Sequence, residues 1–304
     1  MIRTLTIFIF CFASYLQAAD SKSKPNVLFI ISDDLNYMLG SMGHPEAKTP
    51  HLDAFAKTAT SFSRAYCQFP LCGPSRASIM TGQYPFKNGV TGNKNSVDPD
   101  RVTLPKHFQN HGYWAGRISK IYHMGIPGDI IMGTPGGDHA PSWNKAVNIR
   151  ALETMTPGKV VDYDVPDAPL AFSKERKVWQ TAADEKADYE MIPEARGNYA
   201  VIEVDKANEH LLADKMATDK AIELLQRRKQ KDTPFFLAVG LVRPHFPFVA
   251  LDENLTPYDT DTLAFPEHPA DDYDDIPFQA INSKKDFKHQ EVLEIRRGYY
   301  GAVT

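Results

Sequence analysis

The stretch Asn26-Val27-Leu28-Phe29-Ile30-Ile31-Ser32-Asp33-Asp34 decides the fold that we expect for this chain. Its apolar, β-branched residues predict a strand that is buried on both faces, as in a parallel sheet. Two later stretches have the same character, Tyr113 to Ile118 and Phe235 to Val242. All three strands lead into charged or polar residues, which makes the ends of the strands the first place to look for a site.

Helical patterns separate these strands. Helices are expected over Thr49 to Lys57, from Ser75 to Thr81 after Pro74, over Leu104 to Asn110, over residues 208–230, and from about Gln290 to the end. Strands that alternate with helices predict an α/β fold, with helices on both faces of a mostly parallel sheet. Two Pro-rich stretches, residues 124–207 and 251–289, interrupt the alternation, and we expect long excursions over the sheet there.

Residues 1–19 predict a signal peptide. Arg3 supplies the positive start, Leu5 to Leu16 is mostly apolar, and Gln17-Ala18-Ala19 offers small residues for cleavage after Ala18 or Ala19. The apolar run is too short to span a bilayer comfortably, which disfavours an uncleaved anchor. We therefore expect a secreted or periplasmic protein with no stable membrane insertion.

Overall composition narrows the function classes. The apolar and charged fractions, 42% and 24%, are typical of a soluble globular protein. A formal net charge of −4 argues against a nucleic-acid-binding protein, because such proteins usually carry a basic excess. Without the leader, only Cys67 and Cys72 remain, and in an oxidising compartment a disulfide between them is one expectation.

The segment Cys72-Gly73-Pro74-Ser75-Arg76, followed by Thr81-Gly82 and Tyr84-Pro85, resembles the sulfatase signature Cys-x-Pro-Ser-Arg. The resemblance implies an alkaline-phosphatase-like α/β/α sandwich. It also implies that a formylglycine-generating enzyme oxidises Cys72 to formylglycine, the nucleophile that attacks sulfur. Arg76 would hold the hydrated aldehyde, since its charged fork donates several hydrogen bonds.

Asp33 and Asp34 come directly after the first strand, and their hard oxygen ligands suit calcium or magnesium better than zinc. Placed about forty residues before the signature, the pair resembles the metal motif of the sulfatases. The resemblance implies that Asp33, Asp34 and formylglycine at residue 72 share a calcium ion.

Charged residues also follow the other two strands. Ser119-Lys120-Ile121-Tyr122-His123 resembles the Gly-Lys-x-x-His segment of the family, with Ser119 in place of the usual Gly. This implies that Lys120 neutralises sulfate oxygens and that His123 lies near the nucleophile. In Arg243-Pro244-His245-Phe246-Pro247, the two prolines stiffen the loop around His245. His245 is expected to contact sulfate and act as general acid, and Arg243 to add a positive contact to substrate.

The wider resemblance runs from about Lys24 to the end and is closest to the iduronate 2-sulfatase branch, which implies a sulfated carbohydrate as substrate. Residues 20–304 would be the N-terminal portion of the catalytic domain. The family's later Asp-His-Gly-like segment, which completes the calcium site, and its smaller C-terminal domain are absent from these residues. A truncated and inactive chain is therefore one expectation. The alternatives are a phosphonate or phosphate diester hydrolase of the same superfamily and a non-catalytic glycan-binding remnant.

Overall fold

The computed structural model describes residues 24–153, 158–161, 174–175, 199–267, 271, 274, 276 and 287–304. The predicted signal peptide lies outside the described residues, as do residues 154–157, 162–173 and 176–198 of the first excursion. The described strands are β1 Val27–Asp33, β2 Trp114–Ser119, β3 Lys145–Val147, β4 Gly158–Val161, β5 Lys174–Glu175, β6 Val201–Val204, β7 Phe235–Pro244 and β8 Phe248–Leu251. The described α-helices are α1 Pro50–Ala56, α2 Cys72–Thr81, α3 Pro85–Asn88, α4 Leu104–Asn110, α5 Gly128–Met132, α6 Ala213–Arg228, α7 Asp252–Leu255 and α8 His289–Val303. Short 3-10 turns cover Gly40–Met42, Ala140–Ser142 and Lys206–Leu211.

A parallel sheet forms the centre of the molecule, with the strand order β1-β7-β2-β3. Alternate residues of β7 point to opposite faces. Leu237 and Val239 pack against α6, whereas Phe236 and Ala238 pack against α2 and neighbouring residues. Helices thus cover both faces of the sheet, and the predicted α/β arrangement of three layers is confirmed.

Strand β1 corrects one expectation. Val27, Phe29 and Ile31 pack against the core, but the alternate residues Leu28 and Ile30 are 46% and 59% exposed. β1 is an edge strand in the described part of the chain, and its second face is only partly covered by the described residues. The prediction of burial on both faces was therefore wrong, because a continuous apolar run does not reveal whether another layer lies against each face of the strand.

Other elements differ from expectation in their bounds. Helix α2 begins at Cys72 rather than Ser75, with Pro74 in its first turn, where a missing N–H costs no helical hydrogen bond. The stretch predicted as one helix over residues 208–230 is divided into a 3-10 turn and α6. A second, mixed sheet with the order β5-β4-β6-β8 was not predicted. None of the described helices is long and apolar enough to cross a membrane.

Candidate active site

Three strands bring the predicted site residues together. Asp33 ends β1, Lys120 follows β2, and His245 follows β7. Because these strands are parallel neighbours, their carboxyl ends lie at one edge of the sheet. The ion pairs described below place Asp33, Lys120 and His245 next to one another at this edge.

Asp33 is the centre of a buried ion cluster with Arg76 and Lys120. Arg76 Nη2 and Nε donate to Asp33 Oδ1 at 2.6 and 3.2 Å, and Lys120 Nζ forms an ion pair with Oδ2. All three residues are at most 3% exposed. Burial disfavours the ionised carboxylate, but the charges of Arg76 and Lys120 outweigh it and lower the pKa of Asp33 to about 2. The cluster therefore holds two cations against one anion, and Asp34 supplies a second carboxylate at the same edge outside the cluster.

Arg76 also connects two segments of the site. Its Nη1 donates to the carbonyl oxygens of Lys120 and Ile121 at 2.7 and 3.0 Å. Arg76 thus fixes the backbone that carries Lys120 while its other nitrogens hold Asp33. A role in holding hydrated formylglycine stays a prediction.

Lys120 lies where two backbones approach closely. A Cβ at Gly240 of β7 would be 2.1 Å from the carbonyl oxygen of Lys120, so no other residue fits without backbone movement. The preceding Ser119 has a φ of 58° and so adopts the left-handed conformation that favours glycine. This conformation gives a physical reason for the Gly that the family uses there. Burial lowers the pKa of Lys120, while the charge of Asp33 opposes that effect.

Both histidines face this positive charge. His245 Nδ1 donates to the carbonyl oxygen of Phe246 at 2.5 Å, which leaves Nε2 as the free ring nitrogen. Nε2 lies 3.9 Å from Asp33 Oδ2 and 3.8 Å from Asp34 Oδ2. Burial, and next the charge of Lys120, lower the pKa values of both His245 and His123. His123 Nδ1 is buried without a hydrogen-bond partner among the described residues.

Cys72 is half-buried at the first position of α2 and is a free thiol, as is the exposed Cys67. The expected alternative of a disulfide between them is therefore absent from the structure. Cys72 Sγ lies 3.7 Å from Asn93 Oδ1, which also accepts the N–H of Gly73 at 2.8 Å. A Cβ at residue 73 would meet Asn93 at 2.8 Å. The thiol marks the position that the predicted formylglycine would occupy.

Arg243 corrects another expectation, because its guanidinium is buried and paired within the protein. Nη2 forms an ion pair with Glu153, and Nη1 donates to the carbonyl oxygens of His245 and Pro247. The structure thus shows no terminal nitrogen of Arg243 left without a protein acceptor. A long cationic side chain after a strand is equally compatible with a substrate contact and with an internal pair, so the sequence pattern could not separate the two.

Sequence reasoning missed several residues that shape this site. Asn93, Glu153 and Asp214 carried no motif that points to the site. Gly240 carried a usable signal, because glycine inside a strand often marks close approach of another backbone. Tyr299 lies within the wider resemblance to the family but carried no motif of its own. Its hydroxyl donates to the carbonyl oxygen of Asp34 at 3.2 Å and accepts from the N–H of Asn36 at 2.9 Å, so it fixes the Asp34 loop.

The residues present fall short of a calcium site on their own. Calcium takes six to eight oxygen ligands. Asp33 and Asp34 have the right chemistry, but both oxygens of Asp33 are already paired with cations. No group of three or more His, Cys, Asp or Glu residues in the described part of the chain is placed to hold a metal ion. Metal binding by Asp33, Asp34 and residue 72 therefore stays a prediction.

Comparison with known proteins identifies the family. The sulfatase family model matches residues 25–303. A sulfatase of Formosa agariphila is 30% identical over 86% of this chain and 47% of its own length. The iduronate 2-sulfatase of Mus musculus is 28% identical over 96% of this chain and 48% of its own length. The chain thus spans about half the length of these curated relatives.

Solved structures agree on the fold. A phosphonate monoester hydrolase from Silicibacter pomeroyi superimposes with a TM-score of 0.60 at 19% identity, covering 92% of this chain and 56% of its own. This likeness and the three layers bear out the expected alkaline-phosphatase-like α/β fold. Because the family model covers almost the whole chain, the conclusion from sequence and fold together is that this protein belongs to the sulfatase family.

Proposed function

We propose that the protein is a sulfuric ester hydrolase that removes sulfate from a sulfated carbohydrate, with formylglycine formed from Cys72 as its nucleophile. The observation that carries the proposal is the position of Cys72 at the first residue of α2. Arg76, four residues later and one helical turn away, belongs to the buried ion cluster with Asp33 and Lys120. A cluster with surplus positive charge suits a substrate that carries a sulfate group.

Each residue has a role that its surroundings support. Formylglycine supplies, as its hydrate, one oxygen that attacks sulfur and a second that allows sulfate to leave. Lys120 neutralises sulfate oxygens through the field of its charge, because its ammonium group is buried against Asp33, and His123 lies on the same segment to bind them. His245 donates its Nδ1–H to a carbonyl group, so Nε2 is the ring nitrogen left to face the leaving oxygen, and it gives that oxygen a proton when the ring is in the imidazolium form. Catalysis then depends mainly on groups that are positioned before substrate arrives.

The remaining parts of the proposal concern cofactor, partners and location. Asp33, Asp34 and residue 72 would be the ligands of a calcium ion, a site that would need further oxygen ligands and the release of an Asp33 oxygen from its cation partner. A formylglycine-generating enzyme modifies Cys72, and residues 1–19 direct export to the periplasm or the medium. By similarity to the iduronate 2-sulfatases, the substrate is a sulfated unit of a uronic-acid-containing polysaccharide.

The nucleophile is tested by a mass spectrum of tryptic peptide 65–76, prepared from protein expressed in its own host. We expect residue 72 to be lighter than the thiol form and to react with hydrazines. Cys67 lies in the same peptide and serves as an internal control, because it should remain an ordinary thiol. An unmodified thiol at both positions would overturn the proposal in favour of a glycan-binding remnant.

The reaction class is tested with matched aryl esters of sulfate, phosphate and phosphonate that share one leaving group. We expect the purified protein to hydrolyse the sulfate ester fastest, and Cys72→Ala to abolish that activity. Preference for the phosphonate or phosphate ester would refute the sulfatase assignment in favour of the other hydrolase.

A further inference from the structure

Both terminal nitrogens of the Arg243 side chain bind acceptors inside the protein. Its Nη1 donates to the carbonyl oxygens of His245, at 2.6 Å, and of Pro247, and its Nη2 pairs with Glu153. The remaining nitrogen, Nε, is buried and out of reach of solvent. A guanidinium in these surroundings holds the loop from residue 243 to residue 247 from within.

Two carboxylates hold the same loop from the other side. Asp214 accepts the N–H groups of Val242 and Arg243 at 2.6 and 2.9 Å. Glu153 accepts the N–H of Ala213, the first residue of α6, at 2.8 Å while its other oxygen pairs with Arg243. The cluster of Glu153, Asp214 and Arg243 thus ties the end of β7 to the start of α6.

The hydroxyl of Ser32 adds a connection to β1. Its Oγ donates to the carbonyl oxygen of Arg243 at 2.5 Å. Ser32 directly precedes Asp33 in the chain. Its hydrogen bond therefore fixes the backbone at Arg243 relative to the Asp33 carboxylate, which His245 faces. Buried groups whose charges are paired form a rigid arrangement, although Arg243 Nε has no hydrogen-bond partner among the described residues, and loss of one partner leaves the others uncompensated.

His245 is the residue that this arrangement places. It lies between Arg243 and Pro247, with its own carbonyl oxygen held by the Arg243 guanidinium. Its Nε2 is directed at Asp33 and Asp34 at 3.9 and 3.8 Å. Reaction rates fall steeply when a catalytic group is displaced by about an ångström, so the support of this loop has a direct effect on catalysis.

We propose that Arg243, Glu153 and Asp214 are positioning residues that fix His245, and that Arg243 does not bind the sulfate group. This deepens the proposed function and rests on it, because His245 is taken to act on a sulfate ester. The role of Arg243 thereby changes from a substrate contact to an internal support.

The first test does not need catalysis. In Arg243→Lys, one ammonium group replaces a fork that reaches three acceptors, so we expect amide hydrogen exchange of residues 242–248 to become at least tenfold faster. The matched control is Arg296→Lys, since Arg296 pairs with Glu46 at 2.8 Å and donates to the carbonyl oxygen of Ala264, outside residues 242–248. The control should change exchange in residues 242–248 less than twofold. Unchanged exchange in a folded Arg243→Lys protein would overturn the positioning role.

The second test separates positioning from binding by steady-state kinetics on an aryl sulfate. We expect Arg243→Lys to lower kcat more than tenfold, with KM within about twofold of the wild type. A raised KM with unchanged kcat would instead show a substrate contact and refute the proposal. If the wild type hydrolyses no sulfate ester, the proposed function fails, and hydrogen exchange alone decides whether the loop is held as described.

A milder variant keeps both tests decisive if Arg243→Lys does not fold. Glu153→Gln retains the size of the side chain and one of its two accepting oxygens, but it removes the charge and replaces the other oxygen with an NH2 donor. We expect exchange of residues 242–248 to be at least threefold faster and kcat to be reduced with little change in KM. The positioning role would be wrong if this variant behaved as the wild type in both measurements.

Discussion

Replacing Asp33 by Asn removes the only anion of the buried cluster that Asp33 forms with Arg76 and Lys120. The pKa of Asp33 is lowered from its ordinary value of 3.8 to about 2, because the two cations outweigh the effect of burial. Each pKa unit corresponds to about 1.4 kcal/mol, so the paired carboxylate contributes about 2.5 kcal/mol to the free energy of unfolding. Leaving two buried cations uncompensated raises the expected loss to about 3 to 5 kcal/mol.

The loss is measured by urea unfolding of Asp33→Asn and the wild type at pH 7, followed by circular dichroism. Asp34→Asn is the matched control, because Asp34 is the adjacent carboxylate and its side chain is 47% exposed. We expect the control to cost less than about 1 kcal/mol. A group with a lowered pKa stabilises the fold above its unfolded pKa, and this contribution is lost as the pH falls through the folded value. The difference between wild type and Asp33→Asn should therefore narrow as the pH is lowered from about 4 to about 2.

A double-mutant cycle assigns the loss to the ion cluster. Asp33→Asn and Lys120→Met should show a coupling energy of about 1 to 3 kcal/mol, because each residue is the other's direct partner. The reasoning would be refuted if Asp33→Asn were no more costly than Asp34→Asn, or if the two substitutions were additive.

Three further substitutions test other parts of the site. Gly240→Ala should lower the free energy of unfolding by about 3 kcal/mol, because its Cβ would be 2.1 Å from the carbonyl oxygen of Lys120; an unchanged urea midpoint would contradict this. Ser119→Gly should raise the free energy of unfolding by about 1 kcal/mol, since residue 119 has a φ of 58° and its buried hydroxyl has no partner among the described residues; a lower midpoint would show that the hydroxyl is needed. Burial raises the pKa of Asp214 to about 6, so its contribution is present below about pH 4 and lost as the pH rises through 6. The wild type should lose about 3 kcal/mol of stability from pH 4 to pH 7 through this residue, and Asp214→Asn should flatten that part of the profile measured by urea unfolding.

The sequence predicted those site residues whose positions are set by the ends of the parallel strands. Asp33, Lys120 and His245 each follow an apolar strand, and parallel strands bring such positions together whatever the loops do. The family signature added Cys72 and Arg76. The fold class followed from the alternation of strands and helices, which the core on both faces of β7 bears out.

What sequence did not predict depends on pairings between distant residues. Arg243 and Glu153 are 90 positions apart, and nothing in either segment indicates that they meet. Asn93 reaches Gly73 from a loop without a recognisable pattern. The exposed face of β1 was missed for a different reason, because an apolar run does not reveal whether another layer lies against each face of the strand. In each case the sequence does not show which part of the folded chain lies against the residue or strand in question.

The order in which the sheet is assembled bears on when Cys72 can be modified. β1 has only β7 as a partner among the described strands, and Phe236, which pairs with Val27, follows Cys72 by 164 residues. A ribosome adds about 5 to 20 residues per second, so about 10 to 30 s pass between synthesis of Cys72 and synthesis of the strand that completes its surroundings. During this interval the segment around Cys72 has no finished sheet to pack on. A modifying enzyme that needs an extended peptide would have the nascent chain, rather than the folded protein, as its substrate.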